Sequence, residues 1–147
     1  MKNILAVTAA LVIAGCGGGG TATTSAPTPT PAISFKMTAQ NASGVAGPGQ
    51  VIKKASSFTV TIKLTGMTSN SSHISHVHNG SCAKPGGVAY ALSQVIADGS
   101  GAATVTSTVP ASYSVPAGGW YVNVHHGPDF SVPANAPSIS CGDLPPK

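Results

Sequence analysis

Phe58-Thr59-Val60-Thr61-Ile62-Lys63-Leu64 alternates without a break, with Phe, Val, Ile and Leu on one side and Thr, Thr and Lys on the other. Successive side chains of a strand point to opposite faces, so this pattern reads as a half-buried β-strand that ends at Gly66. Working outward, period-two patterns predict further strands over 33–39, 50–54, 88–92, 102–109 and 120–125. Pro85-Gly86-Gly87, Asp98-Gly99-Ser100-Gly101 and Ala117-Gly118-Gly119 mark turns between them. No segment carries a helical stripe. Short strands about every ten to fifteen residues, punctuated by Gly and Pro, predict an all-β protein: an antiparallel Greek-key sandwich or barrel. The proline-spaced stretch 129–137 reads as an ordered loop that returns the chain to Ile139-Ser140-Cys141-Gly142.

The N-terminus is of a different kind. Lys2 precedes a short apolar run, 4–14, that is too brief to span a bilayer as a mature helix. The run closes on Val12-Ile13-Ala14-Gly15-Cys16, which matches a bacterial lipobox, so 1–15 is expected to be a lipoprotein signal peptide and Cys16 the lipidated residue. Several acyl chains on one cysteine would anchor the protein stably to a membrane. Residues 16–32, rich in Gly, Thr and Pro, hold almost no large apolar side chain and cannot offset the entropy of ordering. They are expected to form a tether, leaving 33–147 as one domain.

Composition excludes one class of partner. Seven lysines face three aspartates, there is no arginine, and charged residues make up 7% of the chain. The lysines are scattered, whereas nucleic-acid binding needs clustered Lys and Arg to neutralise phosphates. Low charge with abundant Ser, Thr, Gly and Ala instead fits an extracytoplasmic strand-rich domain. With Cys16 assigned to lipid, Cys82 and Cys141 remain. They are either an even pair in an oxidising compartment or, if one is a thiolate ligand beside histidines, part of a copper site.

All five histidines fall in two neighbourhoods, His73 to His78 and His125-His126. In a strand, residues i and i+2 share a face, with a rise of about 3.3 Å per residue. His76 and His78 thus lie roughly 6.6 Å apart along one face, within bite of one ion, while Val77 turns to the core. The same parity puts Tyr121, Asn123 and His125 on one face and Val122 and Val124 on the other. If the two strands pack at one end of a sandwich, His125 joins the pair, and three neutral imidazoles suit copper or zinc over calcium or magnesium. Occupancy is then expected to fall below about pH 6, where free imidazoles protonate. His73 and His126 are expected outside this set, close behind it or exposed, with His126 available as a fourth ligand if the backbone bends at Gly127.

Over roughly 58–142 these residues resemble two families. His76-Val77-His78, Cys82, His125 and Cys141-Gly142 are similar to the copper/zinc superoxide dismutase sandwich. That resemblance implies copper on His76, His78 and His125 and a disulfide between Cys82 and Cys141. His76-Val77-His78-Asn79-Gly80 and Tyr121-Val122-Asn123-Val124-His125 resemble the CHRD domain, a β-rich extracellular module. Departures from both are visible. The dismutase bridging histidine and zinc ligands have no counterpart, because 83–92 contains no histidine. The dismutase guiding arginine corresponds to Ser138, leaving Lys84 as the cation at hand, and the Gly-Glu-Ile-Arg-Gly ending of CHRD domains is missing. Three readings stay open: a copper-binding extracytoplasmic lipoprotein with dismutase-like redox activity, a metal-free CHRD-like binding or structural module, and a copper carrier without catalysis.

Overall fold

The computed structural model describes residues 30–146, so the lipobox with Cys16 and nearly all of the tether lie outside the described residues. Ten strands and one short 3₁₀ turn (Pro133–Asn135) make up the described chain. They are β1 (Ala32–Ala39), β2 (Gly47–Lys53), β3 (Phe58–Leu64), β4 (Ser72–His73), β5 (Ser75–Ser81), β6 (Lys84–Ala91), β7 (Val95–Ile96), β8 (Ala103–Val109), β9 (Trp120–His125) and β10 (Ser138–Asp143). Eight of them form one curled antiparallel sheet in the order β6-β5-β9-β10-β1-β2-β3-β8, and β4 pairs with β7.

The curl makes the sheet a sandwich. β1 and β10 share only a short register, Thr38 with Cys141 and Ala39 with Ser140, so this corner joins a β1-β2-β3-β8 layer to a β6-β5-β9-β10 layer. The chain passes between layers after β3, β6 and β8, the Greek-key wiring expected of such a sequence. The anchor strand behaves as its alternation dictates: Phe58, Val60, Ile62 and Leu64 are buried, and the intervening side chains face outward. On that outer face the Oγ1 atoms of Thr61 and Thr106 lie 3.0 Å apart across the β3–β8 pair.

Phe58 ties the layers together. Its ring meets Trp120 of β9 at 5.8 Å, Tyr90 of β6 at 5.7 Å and Tyr113 at 5.4 Å. Complete burial of such a side chain contributes about 2–3 kcal/mol, and it fixes where β9 sits over β3.

Two local expectations need correction. Pro85-Gly86-Gly87 is not a turn; the β5–β6 hairpin turns two residues earlier, at Cys82-Ala83, and β6 begins at Lys84 rather than 88. The glycines instead accommodate register irregularities opposite His78 and Gly80. A Cβ on Gly86 would stand 2.5 Å from the Asn79 carbonyl oxygen, so only glycine fits that close approach. The segment around 139–142 is also more than a loop return, since β10 is a central strand hydrogen-bonded to both β9 and β1.

Candidate metal centre

β5 and β9 are antiparallel neighbours in one sheet rather than strands meeting at one end of the sandwich. His76 stands opposite Asn123, Val77 opposite Val122 and His78 opposite Tyr121. The parity argument then settles the faces. Val77, Val122 and Val124 are fully buried in the core, while His76, His78, Tyr121, Asn123 and His125 share the other side of the sheet. His125 lies on the diagonal from His76, a cross-strand neighbour within reach of a long side chain.

That outer side is covered. Every residue of β9 is buried: Trp120, Val122 and Val124 face the core, and residues 126–137 fold back over the His125 end of the outer side. The return is held by backbone bonds from His126 N–H to the Pro137 carbonyl (2.8 Å) and from Gly127 N–H to the Asn135 carbonyl (3.2 Å). A Cβ on Gly127 would fall 2.0 Å from the Asn135 side chain, so the fold-back depends on glycine there.

Three imidazoles converge on this face. The ring centroids of His76, His78 and His125 form a nearly equilateral triangle with sides of 5.6, 5.5 and 5.6 Å. One ring nitrogen from each lies within 4.8 Å of the others, so the group could hold a metal ion. Bonds of about 2.0–2.1 Å put trigonally arranged nitrogens about 3.5 Å apart, so the widest pair would close by about 1 Å on binding.

The hydrogen bonds around the rings fix which nitrogens are free. His78 Nδ1 lies 3.0 Å from the Gly86 carbonyl and His125 Nδ1 lies 2.7 Å from the Ala136 carbonyl. A carbonyl can only accept, so both Nδ1 atoms carry the proton and both Nε2 atoms present lone pairs, the arrangement that orients metal-binding histidines. His78 Nε2 and His76 Nδ1 are buried with no hydrogen-bond partner. His125 Nε2 has one weak partner, the Asn123 amide at 3.2 Å. Leaving a buried acceptor unsatisfied costs about 1–3 kcal/mol. Two such atoms beside each other, with the His78 and His125 protons directed outward to carbonyls, fit an ion.

Electrostatics disfavours protonation of two of the rings, His76 and His125. Burial, then the charges His125 and His78 would carry, lowers the His76 pKa from 6.5 to about 4. His125 is lowered too, chiefly by burial and also by His78, against the opposing bond to Ala136. His76 therefore resists protonation well below the pH 6 expected of ordinary imidazoles.

His73 and His126 are not part of the group. His73 is buried and both ring nitrogens are engaged: Nδ1 lies 3.0 Å from the His125 carbonyl and Nε2 lies 2.8 Å from Ser71 Oγ. It braces the strand end that presents His125. His126 is exposed and offers no fourth ligand here. Cys82 and Cys141 form a disulfide with Cα atoms 5.9 Å apart, and Asp143 Oδ1 accepts the Cys82 N–H at 2.7 Å. This ties the β5–β6 turn to β10, and neither sulfur is available as a ligand. The pairing suits an oxidising, extracytoplasmic compartment. Among the described residues, no helix is long and apolar enough to cross a membrane.

Four contributors were not legible as site residues in sequence. Tyr121 stacks on His78 at 5.1 Å, Phe130 lies against His76 and His125, and the Gly86 and Ala136 carbonyls set the tautomers. Phe130 gave one usable signal, an aromatic residue in a polar loop four positions after His126. Carbonyls give none. Ser138 donates through Oγ to Asn123 Oδ1, and Lys84 is exposed at the hairpin turn. Compared with known protein families and with curated proteins, the chain matches no family model and no curated sequence.

Proposed function

We propose that this protein is a copper-binding extracytoplasmic lipoprotein whose sandwich holds one copper ion on His76 Nδ1, His78 Nε2 and His125 Nε2. The observation that carries the reading is the pair of buried, partnerless imidazole nitrogens within a three-histidine group. Neutral nitrogen donors and the lack of any carboxylate in the group favour copper or zinc over hard cations. The resemblance of His76-Val77-His78 and His125 to dismutase copper ligands favours copper between these two. Anchoring rests on the lipobox at Cys16, and export is further supported by the disulfide.

Bound copper would supply a one-electron centre. The chain's own contribution is three imidazole ligands brought together on one face of the sheet. Holding the ion stands ahead of dismutation, because the bridging histidine and guiding arginine have no counterparts.

The test is metal content. The purified full chain, loaded with Cu(II) and dialysed, is expected to keep close to one copper, and the His76→Ala/His78→Ala double variant to keep none. A parent without stoichiometric copper overturns the reading in favour of a metal-free CHRD-like module. Superoxide consumption by the loaded chain, compared with the same copper on a simple chelator, separates enzyme from carrier.

A further inference from the structure

Phe130 is 51% exposed although it is one of only three phenylalanines in the chain. It contributes nothing to the core. Its ring lies flat against His76, with centroids 5.7 Å apart and planes 19° from parallel, and it meets His125 edge-on at 4.8 Å. The loop that carries it is built to hold this position. Asp129 Oδ1 accepts the Ser131 N–H at 2.8 Å and the Asn135 side-chain amide at 3.3 Å, and Gly127 lets Asn135 close in behind.

We infer that Phe130 is the specificity-determining residue of the three-histidine site, an apolar wall that selects monovalent copper over divalent ions. This rests on the metal reading above. An ion held by the three imidazoles would have the half-exposed Phe130 ring beside two of its ligands, which narrows the room for a solvent or anionic ligand on that side. A divalent ion keeps more charge in the same apolar surroundings and needs a further polar ligand, so the wall penalises it more than Cu(I). The apolar shell around a metal controls solvent access and local dielectric.

The experiment compares the full chain with Phe130→Ala and Phe130→Leu. Affinities for Cu(I) and Zn(II) are measured by chelator competition. Phe130→Ala is expected to lose roughly tenfold of the Cu(I)-over-Zn(II) preference, and Phe130→Leu, which keeps an apolar wall, to retain most of it. A metal-free readout accompanies this. In the apo proteins, replacing the ring by leucine should move the ring-proton NMR resonances of His76 and His125 while those of His73 stay in place. Unmoved His76 resonances, or a preference in Phe130→Ala equal to the parent's, overturn the inference while leaving the metal reading intact. A parent that binds neither ion sinks both.

Discussion

Removing the Cys82–Cys141 disulfide should cost about 4 kcal/mol of folding stability. The two residues are 59 apart in sequence, and the chain-entropy account of closing a loop of that length in the unfolded state gives about 4 kcal/mol at 25 °C. Domains of this size have about 5–15 kcal/mol in total, so the change consumes a large part of the margin. Cys141 is 3% exposed, so alanine is the better replacement, since it introduces no buried hydroxyl. The assay is urea unfolding of the parent and of the Cys82→Ala/Cys141→Ala variant. With a slope of about 2 kcal/mol/M, the midpoint should fall by about 2 M, with a somewhat steeper slope because the unfolded chain is no longer cross-linked. The bridge joins the β5–β6 turn to β10, whereas His76, His78 and His125 are brought together by β5–β9 pairing, so the folded variant should still carry its copper. A loss below about 1 kcal/mol would refute the entropic reasoning. A full loss of copper with the fold intact would refute the claim that pairing alone builds the site.

Two further outcomes follow. The metal-free protein should lose stability as pH falls from about 6.5 to about 4 and be flat above that window. His76 takes a proton near 6.5 when unfolded but only near 4 when folded, so the unfolded state binds more protons in between and gains on acidification. His125 acts in the same direction, while the lowered Asp98 and Asp129 carboxyls act below the ordinary carboxylate value of 3.8. A thermal midpoint that is level or rising from pH 7 to 4.5 would contradict this. Gly86→Ala should weaken metal binding by about tenfold, because the new Cβ pushes on the Asn79 carbonyl and displaces the Gly86 carbonyl that orients His78. Isothermal titration tests it, and parent-like affinity with a normal fold would mean that carbonyl is dispensable.

Much of the fold and part of the site were legible in the chain. Phe58 to Leu64 and Trp120 to His125 form strands over the residues their alternation marks out, and the pairing of His76 with His78 and of Tyr121, Asn123 and His125 on single faces follows from the same period of two. The hairpin before β6 was misplaced because glycine serves turns and strand bulges alike, and the choice at Gly86-Gly87 depends on contacts with Asn79 and His78 from another strand. The two-residue strands β4 and β7 left no pattern long enough to read.

By itself, then, the sequence determined parity: which residues share a face, and that two histidine clusters lie on strands. Parity is local, fixed by backbone geometry one residue at a time. Only the tertiary structure decided that β5 and β9 are neighbours, that a loop folds back to lay Phe130 on the rings, and that carbonyls from Gly86 and Ala136 leave the right nitrogens bare. Those choices depend on register and on backbone groups far apart in the chain, and backbone groups are the same in every residue type, so no side-chain pattern encodes them.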